Sequence, residues 1–457
     1  MLLFSIMFKS KDVSPMTETD QHGHRLTGAS AASRDHYERA LGLFRIFSGD
    51  PLAATEAAIA ESPGFAMAHM MKAWLNLLGT EPGGLEAARA AHAAAAKLCR
   101  TPREKGHLAA VGQVIADRWH DAAQTLLRVS ADHPHDLLAL QAGHQIDFFT
   151  GNARLLRDRI SRAVAEWSPG MPGYHTMLGM QAFGLEEMGD YAYAEITGRK
   201  AVELEPRDSW AQHAVAHVLE MQGRTGDGIA WMRANPEAWS RDSFFAVHNW
   251  WHLALYHLDR QEIDEVLKLY DGPINGGRSP VILEMIDHSA MLWRLHLRGL
   301  PLGDRWKALA DNWTPLAGAA NYAFNDAHAV MAFIGAGRPA MIEAVLDAQD
   351  RAMAGSGDNA RFTREVGRPV VLGLAAFGEG DWAGCIEALQ PVIPIANRFG
   401  GSHAQRDILD LTLLEAALRL PDPGLARAIS AERRAAKGCS PHARAQFERA
   451  RTLKMAA

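Results

Sequence analysis

Apolar residues recur at helical spacing through most of the chain, in segments separated by Gly, Pro or short polar breaks. Few β-branched runs and little alternation of period two interrupt this pattern, so strands are not predicted. From about Asp35 onwards the helical segments come in pairs, and each pair takes about 30 to 40 residues, a length typical of helical repeats. The pattern predicts an all-α protein.

The fifth pair of segments, YHTMLGMQAFGLEEMGDYAYAEITGRKAVELEP, identifies the kind of repeat. Small residues stand where two antiparallel helices would approach closely, and a proline ends the unit. These positions are Ala182, Gly189, Ala194, Ala201 and Pro206. The spacing is typical of the tetratricopeptide repeat, and it predicts a TPR-like α-α superhelix, a right-handed solenoid of about ten helix pairs.

The solenoid is expected to form one body over residues 34–457, preceded by a flexible or disordered extension over residues 1–33. The apolar start, MLLFSIMF, is too short to span a membrane and lacks the features of a signal peptide. Met16 is an alternative start site.

Charge and cysteine content exclude several classes of function. The net charge is −6 and the basic residues are spread along the chain, so nucleic acid is not an expected partner. The 3 cysteines form no C-x-x-C pair, which suits a reducing compartment. We expect a cytoplasmic protein without a membrane partner, and its oligomeric state stays open.

Two successive first helices each carry a pair of histidines four residues apart: His213 with His217, and His248 with His252. Four residues turn an α-helix by about 400°, so each pair projects from one face. Glu220 lies on the same face as His213. This spacing can grip a metal ion, although neither pair matches the zinc-protease pattern H-E-x-x-H. The alternative is that these histidines serve ordinary packing, as we expect of His69, His92, His107, His144 and His257.

Further polar residues recur at intervals of 35 to 39 residues and predict a band along the concave wall. This band runs from His175 through the two histidine pairs to Asp287 and Asp326, with His403 about two repeats further on. Tyr174, Trp251, Arg406 and Asp407 are neighbours that could complete a ligand site.

The segments YHTMLGMQAFGLEEMGDY, HAVAHVLEMQGR, HNWWHLALYHL, FNDAHAVMAFIGAG and GGSHAQRDILDLTLLEAALR resemble the tetratricopeptide repeat protein 38 family. The resemblance runs from about residue 30 to the C-terminus. It implies a soluble α-solenoid of TPR-like repeats, and it implies no particular reaction or catalytic residue.

Two classes of function stay open. The preferred hypothesis is a His/Asp-rich groove that binds a small molecule or a divalent transition metal, with acid–base or metal-assisted hydrolase or lyase chemistry as an extension. The alternative is a scaffold that binds a peptide in the groove. The predicted catalytic residues are His213, His248, Asp287 and Asp326. The predicted ligand-binding residues are Tyr174, His175, Trp251, His403, Arg406 and Asp407. The predicted metal ligands are His213, His217, Glu220, His248 and His252.

Overall fold

The computed structural model describes residues 18–420 and 422–453 as an all-helical TPR-like protein, without any strand in these ranges. The helices are α1 Ala31–Arg45, α2 Pro51–Glu61, α3 Ala66–Leu78, α4 Gly84–Ala96, α5 Pro102–Ile115, α6 Trp119–Asp132, α7 Leu137–Phe149, α8 Ala153–Val164, α9 Tyr174–Glu187, α10 Tyr191–Leu204, α11 Ser209–Met221, α12 Thr225–Ala234, α13 Pro236–Ser240, α14 Ala246–Asp259, α15 Ile263–Leu269, α16 Ile282–His296, α17 Asp304–Trp313, α18 Ala323–Gly335, α19 Pro339–Met353, α20 Asp358–Phe362, α21 Arg368–Glu379, α22 Trp382–Leu389, α23 His403–Arg419, α24 Pro423–Ala436 and α25 Pro441–Thr452. Short 3₁₀ or π turns cover Tyr270–Ile274, Thr314–Leu316, Thr363–Gly367 and Ile393–Phe399. The all-α fold class predicted from the sequence is confirmed.

Local sequence signals explain where many of these helices begin. At α5, the Thr101 side chain accepts from the backbone N–H of Glu104, and the Glu104 carboxylate accepts from the backbone N–H of Thr101. Pro102 occupies the first turn, where its missing N–H costs nothing. Ser402 caps α23 with Gln405 in the same reciprocal manner.

The fifth helix pair, α9 and α10, shows why small residues recur in the repeat. Ala182, Ala194 and Ala201 are fully buried between the helices of this region. A Cβ added to Gly198 would lie only 2.7 Å from Val215 Cγ2, so α10 reaches α11 at a distance that only glycine allows. Gly189 ends the α9 turn with φ +83°, a conformation that glycine adopts without strain.

The superhelix is wound tightly enough for distant repeats to touch. The backbone N–H of Ile282 donates to Glu81 at 2.7 Å, and the Tyr322 hydroxyl donates to the Phe149 carbonyl at 3.0 Å. The first helices of the pairs are therefore mostly buried, and in α11 only Glu220 and Met221 are not. Helices α11 and α14 also contact each other directly, so little of α11 is accessible to a ligand.

The described part of the predicted N-terminal extension contacts the helices. Thr27 donates to Glu104 of α5 through both its backbone N–H and its hydroxyl, each at 3.0 Å. Asp20 lies 3.5 Å from the guanidinium of Arg103. Residues 1–17, including the apolar start and Met16, lie outside the described residues. None of the described helices is long and apolar enough to cross a membrane.

Candidate metal centre

The four histidines of α11 and α14 converge on one point. We call His213, His217, His248 and His252 the four-histidine cluster. One ring nitrogen from each lies within 4.8 Å of the corresponding atoms of the other three. The shortest contact joins Nε2 of His213 and Nε2 of His248 at 3.1 Å. Zinc–nitrogen bonds of about 2.0–2.1 Å place tetrahedral ligands about 3.4 Å apart, so small side-chain movements would close the set around one ion.

Much of the hydrogen-bonding capacity of the four-histidine cluster is unused. His217 and His252 are fully buried, and His213 is 2% exposed. Nδ1 of His213, both ring nitrogens of His217 and Nε2 of His252 are buried without a hydrogen-bond partner among the described residues. Buried polar groups are nearly always paired, because an unpaired one carries its full desolvation cost. A cation at the centre would supply the missing partner.

Two carboxylates orient rings of the cluster from behind. Both oxygens of Asp287 lie 2.9 Å from Nδ1 of His248, and Oε2 of Glu220 lies 3.1 Å from Nδ1 of His252. Each ring then donates its Nδ1–H outwards and presents Nε2 to the centre, an arrangement common around metal-ligating histidines. Glu220, predicted as an oxygen ligand, thus lies outside the converging atoms and fixes a ring.

A second group of possible ligands shares His217. It contains Glu186 and Glu187 of α9, and one ligand atom from each of these three residues lies within 4.8 Å of the others. Glu186 is fully buried and neither carboxylate oxygen has a hydrogen-bond partner among the described residues. Its Oε2 lies 3.6 Å from Nδ1 of His217. The centre therefore offers carboxylate oxygens beside the imidazoles.

Burial sets the protonation of these groups. Desolvation lowers the pKa of His217 to about 4 and holds the pKa of His213 and His252 well below 6.5. Desolvation, followed by the charge of Glu187, raises the pKa of Glu186 well above 4.5. The three imidazoles are neutral at neutral pH, and neutral imidazole is the form that binds metal.

Aromatic side chains wall the cluster. Trp251 stacks on His248 with ring centroids 5.4 Å apart, and Phe183 and Phe245 lie 5.2 and 5.1 Å from the ring of His213. Trp251 itself is fully buried. This wall lowers the local dielectric and strengthens any electrostatic interaction with a bound cation.

No protein-family model matches the chain. Among solved structures it is similar to human IFIT1, as a dimer with m7Gppp-AAAA, at 13% sequence identity and a TM-score of 0.39, over 92% of this chain and 94% of that one. A likeness at this level carries no conclusion about function.

Other residues of the predicted band make separate contacts. Nδ1 of His175 lies 2.8 Å from Asp208, which also caps α11. Tyr174 packs against the small apolar group of Leu178, Ala201 and Ala211. These two residues lie near the start of α9, towards the opposite end of that helix from Glu186.

Asp326 is hydrogen-bonded to a residue of its own repeat. Its Oδ2 accepts from the Gln349 side-chain amide at 3.1 Å, and burial raises its pKa to about 7. No contact joins it to the four-histidine cluster among the described residues.

The C-terminal residues of the band approach the centre from α23. The backbone N–H of His403 donates to Glu187 at 3.1 Å, and Arg406 lies 3.7 Å from the same carboxylate. Asp407 instead binds Arg433 through two hydrogen bonds of 2.9 and 3.1 Å.

The sequence analysis missed Glu186 and Glu187. Their signal is a pair of adjacent acids in FGLEEMG, at the end of an otherwise apolar first helix. A carboxylate in a buried helix needs a partner, and that expectation alone marks the position.

Proposed function

We propose that this TPR-like protein is a metalloprotein whose four-histidine cluster binds a divalent transition metal ion. The observation that carries the proposal is the convergence of four imidazoles, three of which keep a buried ring nitrogen without a hydrogen-bond partner among the described residues. Imidazole ligands without thiolate suit zinc, iron, nickel or copper, and the adjoining carboxylates extend the range to manganese.

The protein supplies binding and orientation at this centre. Asp287 and Glu220 hold His248 and His252 in the tautomer that ligates through Nε2. When bound, such an ion supplies Lewis acidity and an acidified water, the chemistry of the hydrolase or lyase class considered from the sequence. The side chain of His248 is 13% exposed, more than that of the other three histidines, so we expect a reactant to approach from this side.

The same geometry argues against an extended peptide as the occupant of this region. A peptide groove requires accessible side chains along the first helices, whereas α11 is buried along most of its length. We therefore place the metal hypothesis ahead of the scaffold hypothesis for the segment from α9 to α14.

Elemental analysis tests the proposal. Protein purified without a polyhistidine tag should hold about one transition metal ion per chain, and reloading after chelation should restore it. His213→Ala and His248→Ala should each abolish stoichiometric binding. His107→Gln is the matched control, because His107 is also buried but lies on α5 and is paired with Asp136 and Trp74.

Two results would overturn the proposal: no ion near stoichiometry after reloading with zinc, manganese or iron, or equal metal content in His213→Ala and wild type. Glu186→Gln sharpens the stoichiometry. If the group of Glu186, Glu187 and His217 holds an ion of its own, this variant loses one of two ions and keeps the other.

We also infer that the chain belongs to the tetratricopeptide repeat protein 38 family, on the motifs HAVAHVLEMQGR and HNWWHLALYHL, which carry all four histidines. An alignment of that family tests both inferences together. The metal proposal requires the four histidines and Glu186 to be kept as a set, whereas independent loss of single members would contradict it.

A further inference from the structure

A cavity of about 190 Å³ lies beside the metal centre. It is enclosed by the C-terminal ends of α11 and α14, by α16 and α23, and by the turn between α24 and α25. Its volume suits a small metabolite better than a drug-sized ligand or a peptide.

The walls of this cavity carry more positive than negative side chains. Four cations line it: Arg294, Arg298, Arg433 and Lys437. Three carboxylates line it as well, and each already has a partner. Asp407 binds Arg433, Asp259 accepts from the Ser440 hydroxyl, and Glu220 accepts from His252.

Three of the four cations have no carboxylate within ion-pair distance among residues 18–420 and 422–453. Arg294 donates only to the carbonyls of Ala404, at 2.7 Å, and Ala290, at 3.3 Å. Arg298 donates to the Leu258 carbonyl at 2.9 Å. Lys437 has only a sulfur neighbour, Met221 Sδ, at 3.8 Å.

Uncompensated charge at such depth is costly. Arg294 is 3% exposed, and burial lowers its pKa. Burial also lowers the pKa of Arg298 to about 10, which leaves that guanidinium charged at neutral pH. Besides the two carbonyls, the guanidinium of Arg294 lies over the ring of Trp251, 5.2 Å from its centroid. A buried guanidinium without a carboxylate in ion-pair contact lacks the counter-charge that best stabilises it. A ligand with negative charge would supply it.

We propose that this cavity binds a small molecule through its carboxylate or phosphate group, with Arg298 and Lys437 as the principal contacts and Arg294 behind them. Carboxylate and phosphate groups each present two oxygens that can accept a pair of hydrogen bonds from one arginine side chain. Glu220 lines the cavity and also holds His252, so the anionic ligand would lie next to the metal centre. The site stands on the cavity and its cations and does not require a metal ion.

Isothermal titration calorimetry with inorganic phosphate and with citrate, in low-chloride buffer, tests the proposal. Wild type should show saturable binding of at least one probe. Arg298→Gln and Lys437→Gln should each weaken it by about 10-fold or more, as expected for loss of a charge-assisted hydrogen bond. Lys437 is half-buried near the end of α24, so its variant keeps the test valid if Arg298→Gln fails to fold.

Arg305→Gln is the matched control, because Arg305 pairs with Asp271 at a distant surface and should leave anion binding unchanged. His213→Ala separates this proposal from the metal proposal. It should remove metal and keep anion binding, whereas loss of anion binding in this variant would assign the anion to the metal and overturn the cavity proposal. Absence of saturable binding, or affinity unchanged in Arg298→Gln and Lys437→Gln, would also overturn it.

Discussion

In the N-terminal part of the solenoid, Asp136 and Asp147 are buried carboxylates whose oxygens all accept hydrogen bonds. One oxygen of Asp136 accepts hydrogen bonds from His107 at 2.9 Å and from Arg103 at 3.3 Å, and the other accepts from a backbone N–H. Each oxygen of Asp147 accepts one hydrogen bond from the Arg159 guanidinium, at 2.7 and 3.1 Å.

Glu186, beside the four-histidine cluster, is equally buried, yet neither of its oxygens accepts a hydrogen bond from the described residues. The neighbouring His217 also lacks partners for both ring nitrogens. Both oxygens of Asp136 and Asp147 are therefore paired, whereas neither oxygen of Glu186 is. The N-terminal part also contains buried nitrogens without a partner among the described residues, on Arg103, Arg159 and His144, so the contrast concerns the carboxylates. The difference supports the proposal that a ligand completes the group of Glu186, Glu187 and His217, because a buried carboxyl group without a hydrogen-bond partner is costly.

Breaking the buried ion pair of Asp147 and Arg159 should have the largest effect on stability. Arg159→Met leaves Asp147 buried without its counter-charge, and we expect the free energy of unfolding to fall by about 3 to 5 kcal/mol in urea denaturation. Burial already raises the pKa of Asp147 to about 6 against the opposing effect of Arg159, so the variant should bind a proton there at neutral pH.

The double variant Asp147→Leu with Arg159→Met is the control for this expectation. It removes both charges, so it should recover most of the lost stability. A single variant that costs under about 1 kcal/mol, or a double variant no better than the single, would show that the pair is not a closed structural unit.

Binding of a metal ion to the four-histidine cluster should stabilise the protein. Zinc added to chelator-treated protein at about 100 times its dissociation constant should raise the free energy of unfolding by about 2.7 kcal/mol. His213→Leu should abolish this increase, because it removes one of the four converging ring nitrogens. Equal stabilisation of wild type and His213→Leu by zinc would locate the ion elsewhere.

The carboxylates behind the cluster should tune its affinity. Asp287→Asn weakens the hold on Nδ1 of His248, and we expect the metal dissociation constant to rise by about 10- to 100-fold in competition with a chromogenic chelator. Asp271→Asn, at an exposed carboxylate paired with Arg305, is the matched control and should leave the affinity unchanged. A dissociation constant unaffected by Asp287→Asn would mean that His248 is not a ligand.

The fold was predictable because its signals are local. The paired helices follow from apolar spacing, from caps such as Ser402, and from small residues such as Gly189 that mark the ends and contacts of repeats. The spacing His213/His217 and His248/His252 also placed both pairs on neighbouring first helices, since equivalent positions in a solenoid lie side by side.

The rest of the site depends on how tightly the superhelix winds, which no local pattern encodes. Asp326 sits at repeat spacing from Asp287, yet it contacts Gln349 of its own repeat. Arg294 meets Ala404, more than two repeats away in sequence, and this contact helps to form the charged cavity. Such contacts between repeats that are distant in sequence can be identified only from the three-dimensional structure.

The smallest expected effect concerns a buried histidine that is partly satisfied. His328 donates from Nδ1 to the Phe324 carbonyl at 2.8 Å, while its Nε2 is buried without a partner, and burial lowers its pKa to about 4 from 6.5. Between these values the unfolded chain binds a proton that the folded protein refuses, so stability falls as the pH drops below about 6.5. His328→Gln should flatten this dependence by about 1.4 kcal/mol per pH unit between pH 6 and 5 in urea denaturation. An unchanged slope would mean that His328 accepts a proton in the folded state, and the contrast between satisfied and open buried groups would then not extend beyond the metal centre.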